Sequence, residues 1–98
     1  MSLKFRDEHS DAFFNAVLAI GDIDECSDFF EDLCTIKELK SMIMRFQVAR
    51  MLSEGKLYTD IVNQTGASTA TISRVNRCLN YGSDGYKTIL ERLKKRNG

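Results

Sequence analysis

Leu57–Leu79 reads LYTDIVNQTGASTATISRVNRCL, and its spacing decides the fold. Ile61 and Val62 give a first short helix its apolar face. Gly66 stands where the chain must turn, and glycine adopts positive φ there without steric cost. Ser68 follows as an N-cap, because its hydroxyl can accept from a free backbone N–H two or three residues on. A second helix then runs from Thr69 to Leu79. Ile72, Val75 and Leu79 recur at i, i+3 and i+7 and share one face. The opposite side carries Ala70, Ser73, Arg74 and Arg77, with Thr69 at the tip. Small side chains leave such a helix slim enough for a major groove about 12 Å wide. Two positions are irregular for a helix-turn-helix. Thr65 is polar where an apolar residue is usual, and Val62 is larger than the small residue often found where the helices cross. The alternative is a plain αα-corner whose outer face is merely solvated.

The 98-residue chain is the length of one small domain. A hydrophobic content of 43% is that of a chain with a packed core rather than a disordered one. No apolar run approaches the roughly 18 residues a membrane span needs, and no signal-peptide pattern precedes the first helix, so a cytoplasmic, nucleoid-associated protein is expected. Cys26, Cys34 and Cys78 are odd in number and widely spaced, and with the single His9 they match neither a disulfide framework nor a metal site. The net charge is zero, but it is divided. Residues 1–34 hold nine acidic and two basic residues, whereas residues 35–98 hold twelve basic and five acidic ones. This is the pattern of an acidic platform carrying a basic reading head; it equally suits a dipolar surface on which two chains assemble.

Proline is absent and strand-like alternation is missing, so the whole chain reads as helix. Residues 1–6 form an arm. A first helix spans 7–20, with Phe13, Phe14, Val17, Leu18 and Ile20 in a wide apolar stripe and Gly21 as its C-cap. Asp22 opens the second helix with Glu25 as a capping-box partner, and Thr35 and Glu38 form a second box. The third helix extends to Glu54 and is closed by Gly55. Apolar residues from Leu39 to Leu52 cover more than half of its circumference, more than one small chain can bury, so a second copy is expected to supply part of the cover. After a polar connection, Asn80–Ser83, a last helix starts at Asp84 and finishes on Lys94, Lys95 and Arg96, which suit a helix C-terminus and could equally touch phosphate. The organisation expected is one helical domain over 1–98: a dimerisation core at 7–54, the helix-turn-helix at 57–79 and a C-terminal helix at 84–96.

Six helices with Thr35, Arg45, Gly55, Gly66, Ala67, Ala70, Thr71, Ile72 and Arg74 at motif positions resemble the tryptophan repressor family. The likeness is nearest to its tryptophan-repressor-related YerC/YecD-type branch. It covers Asp11 to Leu93, with one residue missing between Leu57 and Ile61. The resemblance implies an all-α, intertwined homodimer whose N-terminal helices wrap each other. It also implies a ligand-binding set for L-tryptophan, in which Thr35, Arg45 and Arg74 match family positions and the two arginines flank the indole. Arginine suits that role, since a guanidinium clamps a carboxylate and stacks on an aromatic plane. Two departures stand out. The family glycine after the second arginine is Val75, whose isopropyl group fills ligand space, and a family serine is Cys78, a weaker partner for an ammonium group. Val75 therefore disfavours tryptophan as corepressor, and no cofactor is expected.

The function expected is a DNA-binding transcriptional regulator, a dimeric repressor of a palindromic double-stranded site. Thr69, Ala70 and Ser73 would lie near base edges, and Arg74, Arg77 and Thr71 near phosphates, with Ser68 at the helix tip. A dimeric protein-interaction module built on the acidic first third is the alternative. The chain offers no His–Cys or His–Asp constellation, no phosphate-cradling loop and no paired carboxylates in an apolar setting, so an enzyme is not expected.

Overall fold

The computed structural model describes residues 5–97 and contains six helices: α1 (Glu8–Leu18), α2 (Ile23–Leu33), α3 (Ile36–Ser53), α4 (Tyr58–Thr65), α5 (Thr69–Tyr81) and α6 (Gly85–Asn97). There is no strand among the described residues, and the fold is all-α. None of these helices is long and apolar enough to cross a membrane. The chain divides into two compact units at Lys40/Ser41, within α3. Of the expected N-terminal arm, residues 1–4 lie outside the described residues; Arg6 donates from Nε to Asp11 Oδ1 at 2.7 Å.

The first unit is built on caps. Asp7 accepts from the Ser10 N–H at 2.9 Å, while the Asp7 N–H donates to Ser10 Oγ at 2.9 Å. These reciprocal bonds satisfy donors that the first turn of α1 leaves free. Gly21 is not the left-handed C-cap its position in the sequence suggests. The helix ends at Leu18 with Ala19 in the right-handed region, and the last turn is closed by i→i−3 bonds from Ala19 and Ile20. Gly21 instead serves the next helix. Its N–H donates to Glu25 Oε1 at 2.8 Å, and a Cβ there would lie 3.0 Å from the same oxygen. The Asp22–Glu25 box is therefore offset: Asp22 caps the Glu25 N–H at 2.8 Å, but Glu25 reaches back to Gly21. Phe13 and Phe29 stack at 6.4 Å between ring centroids, flanked by Phe14 and Phe30. No residue of α1 or α2 is buried. Leu18 is 80% exposed and Ile23 83%.

The second unit holds the core. Val48, Ala49 and Met51 of α3 pack with Ile61, Ala67, Ile72 and Val75, and Met44, Leu52, Val62, Tyr86 and Leu90 close around them. The end of α3 is a Schellman motif: Gly55 sits at φ 79°, its N–H donates to Leu52 O at 3.0 Å, and the Lys56 N–H donates to Met51 O at 3.1 Å. α5 runs two residues beyond Leu79, to Tyr81, and takes in half of the expected connection. Asn80 sustains it by donating from Nδ2 to Asn76 O at 3.0 Å and Asn76 Oδ1 at 3.1 Å. Gly82 ends it; a Cβ there would lie 2.3 Å from Cys78 O. Asp84, expected as the first residue of the last helix, precedes it in the left-handed region at φ 64°.

Candidate nucleic-acid interface

α4 and α5 pack on each other, and α5 packs on α6. Ile61 in α4 is fully buried, as is Ile72 in α5; Val75 is 3% exposed and Leu79 8%. That apolar row fixes which side of α5 faces outward. Thr69, Ala70, Ser73, Arg74 and Arg77 are all exposed, and Thr71 is half-buried. The seven residues singled out from the sequence are thus brought together on the tip and outer side of one helix. Among the described residues neither Arg74 nor Arg77 is ion-paired, which leaves both guanidinium groups available for phosphate.

The turn that carries this helix is closely held. Gly66 adopts φ 73° and its N–H donates to Val62 O at 2.9 Å. Ser68 caps α5: its Oγ accepts from the Thr71 N–H at 3.1 Å and donates to Thr71 Oγ1 at 3.0 Å, while Ser68 O accepts from the Ile72 N–H at 3.0 Å. The cap occupies the Ser68 hydroxyl, so Ser68 acts on the helix first. Thr71 keeps its own hydroxyl proton for a further acceptor. Thr65, irregular in the sequence pattern, bridges the turn. Its hydroxyl donates to Ile61 O at 2.7 Å and accepts from the Ala67 N–H at 3.1 Å. A lone threonine beside a turn glycine is the signal that points to it. Val62, the other irregular residue, packs half-buried against the core.

Around this site the unit from Ser41 to Gly98 carries ten basic and four acidic residues. Arg50 lies over the Phe46 ring at 5.4 Å. Arg45 is exposed and donates from Nε to Ser41 O at 3.4 Å. Thr35 belongs to the other unit, where its hydroxyl is taken up in capping α3. Cys78 is an exposed thiol at the edge of an apolar groove of about 560 Å³ lined by Phe46, Tyr86 and Ile89.

Residues 8–94 match the Trp repressor protein family along nearly the whole chain. The chain belongs to that family. Its members are regulators, not enzymes. Among relatives, the chain is 54% identical over 92 residues to the uncharacterized protein YerC of Bacillus subtilis (strain 168), covering 94% of this chain and 88% of that one. It is similar in structure to a TrpR-like protein from Eubacterium eligens ATCC 27750, with a TM-score of 0.90, 55% identity and coverage of 93% of this chain and 94% of that one. A solved chain from Staphylococcus aureus also superposes with a TM-score of 0.90, at 44% identity over 95% of this chain and 96% of its own. The six-helix, helix-turn-helix fold expected from the resemblance is the family fold.

Proposed function

We propose that this Trp repressor family member is a homodimeric, sequence-specific DNA-binding regulator that represses transcription at a palindromic operator in the cytoplasm. The observation that carries the proposal is the two-sidedness of α5: Ile72, Val75 and Leu79 are buried, while Thr69, Ala70, Ser73, Arg74 and Arg77 face outward. Hydroxyls pair with donor or acceptor base edges, and the Ala70 methyl can meet a thymine methyl. Arg74 and Arg77 hold phosphates, which fix register without reading sequence. A dimer sets two such helices about 34 Å apart, one turn of DNA. Support for the second copy comes from the large apolar side chains left in water, above all Leu18 at 80% and Ile23 at 83% exposed, which burial against a second copy would stabilise.

Tryptophan does not fit the role of corepressor in this reading. Val75 occupies the position of the family glycine and is packed into the core with Ile61 and Ile72, so an indole there would have to displace core atoms. Repeated selection from a randomised duplex pool, with and without L-tryptophan at two salt concentrations, tests both parts. The expected result is an enriched palindrome, the same in both conditions, with affinity falling steeply with salt as counterions are released. Enrichment only with tryptophan refutes the reading of Val75, and no enrichment in any condition refutes specific DNA binding.

A further inference from the structure

We infer that Thr65 is a positioning residue whose hydroxyl clamps the turn and thereby sets how sharply α5 discriminates between DNA sequences; this rests on the DNA-binding reading above. The clamp joins two fixed points. Thr65 Oγ1 donates to the carbonyl of Ile61 and accepts from the N–H of Ala67, and Ile61 is fully buried while Ala67 is 2% exposed. Between them lies Gly66, at φ 73°, with nothing within 4 Å of where a Cβ would stand. No side chain packs at the glycine; hydrogen bonds hold the turn, the Gly66 N–H donating to Val62 O at 2.9 Å and the Thr65 hydroxyl adding the one side-chain link from Ile61 to Ala67. Ala67 leads directly into the Ser68 cap, so the hydrogen bonds run in sequence from α4 through the turn to the first turn of α5.

An apolar residue at position 65 would leave the Ala67 N–H, in a nearly inaccessible residue, without its partner. Buried backbone donors are seldom left unpaired, and the chain would move to satisfy this one. α5 is about 20 Å long at 1.5 Å per residue, so a small rotation at its root displaces Ser73 and Arg77 further along. Hydrogen bonds to base edges depend steeply on distance and angle. Charge attraction to phosphates acts over a Debye length of about 8–10 Å. A loosened turn thus costs discrimination before it costs general affinity.

The test uses the full-length protein with Thr65→Val, which keeps the shape and removes the hydroxyl, and Thr65→Ser, which restores the hydroxyl. Binding to the selected palindrome and to random duplex is measured alongside far-UV circular dichroism and backbone amide exchange. Thr65→Val is expected to weaken the palindrome complex about tenfold (about 1.4 kcal/mol) and to change random-duplex binding less than twofold, with Thr65→Ser within about twofold of wild type. Unchanged palindrome binding, equal loss on both duplexes, or failure of serine to rescue overturns the inference. Should the wild-type protein select no sequence, the DNA-binding reading fails by itself, and the clamp is judged on exchange. Faster exchange confined to Ala67 and Thr71 in Thr65→Val supports it; uniform acceleration, or none, overturns it.

Discussion

Thr35 and Glu38 hold each other's backbone at the start of α3: the Thr35 N–H donates to Glu38 Oε1 at 2.8 Å, and the Glu38 N–H donates to Thr35 Oγ1 at 3.1 Å. The hydrogen bonds from the Thr35 backbone and side chain lower the Glu38 pKa below the ordinary glutamate value. A carboxylate with a lowered native pKa stabilises the folded state at pH values above its unfolded pKa, and that contribution is lost as pH falls through the native value. Glu38→Gln should therefore be less stable than wild type in urea unfolding at pH 7. The difference should begin to shrink near the ordinary glutamate value of about 4.3 and vanish below the lowered one. Thr35→Ala, which removes the other half of the box, should cost about 1 kcal/mol at pH 7. A gap between wild type and Glu38→Gln that persists at pH 2.5 would mean the carboxylate acts otherwise than through this box.

Gly66 offers a cleaner substitution, because the space around it is open and only the backbone resists. Alanine at φ 73° should destabilise by about 1–2 kcal/mol, the penalty of a left-handed L-residue, and Gly66→Asn by less, since asparagine visits that region more readily. Thermal unfolding at fixed protein concentration ranks the three. Equal stability of Gly66→Ala and wild type would show that the turn can relax out of the left-handed region.

Much of this fold could be read locally, and the reasons are physical. The Thr35–Glu38 box, the Ser68 cap and the Gly66 turn each depend on residues no more than four apart, so spacing alone specifies them. The outward row on α5 was legible because Ile72, Val75 and Leu79 repeat with helical period and leave one side free. Gly21 was not legible, because a glycine between two helices can end the first or make room for a carboxylate of the second; Glu25 claiming the Gly21 N–H decides it, and that is a three-dimensional choice. The reach of α5 through Tyr81 was hidden for a similar reason: Asn80 looks like a connector until its amide is seen bonded to Asn76. Thr65 looked like a defect because its two partners, Ile61 O and Ala67 N–H, are backbone groups that a residue pattern does not display.

The exposed side chain of Ile23 gives a test of assembly. It is the first residue of α2, next to the Asp22 cap, where an added carboxylate is compatible with the helix dipole. Ile23→Asp should thus leave the helix intact. If a second copy covers this side chain, each copy loses about 1.5–3 kcal/mol of apolar burial, and symmetry doubles the loss in a two-fold dimer. Sedimentation equilibrium should show a wild-type dimer at micromolar concentration and at least tenfold weaker association for Ile23→Asp. A wild-type chain that sediments as a monomer at that concentration would remove the dimer, and with it the paired half-sites.

Arg77 and Ser73 lie four residues apart on the outer side of α5, both exposed, and the proposed function gives them different roles. A guanidinium on a phosphate contributes to binding any sequence, because its attraction comes with counterion release. A serine hydroxyl on a base edge contributes only where the matching base stands. Arg77→Ala should therefore weaken selected and random duplexes alike and reduce the slope of log affinity against log salt by about 0.9 per arginine. Ser73→Ala should leave that slope unchanged and alter the preferred base at one position of each half-site, with discrimination there falling by about 1–3 kcal/mol. Neither change should lower stability much, since both side chains stand outside the buried core. Titrating both variants against both duplexes at four salt concentrations separates the two effects. The same loss from both substitutions on both duplexes would mean that α5 contributes only charge, and that sequence is read elsewhere or not at all.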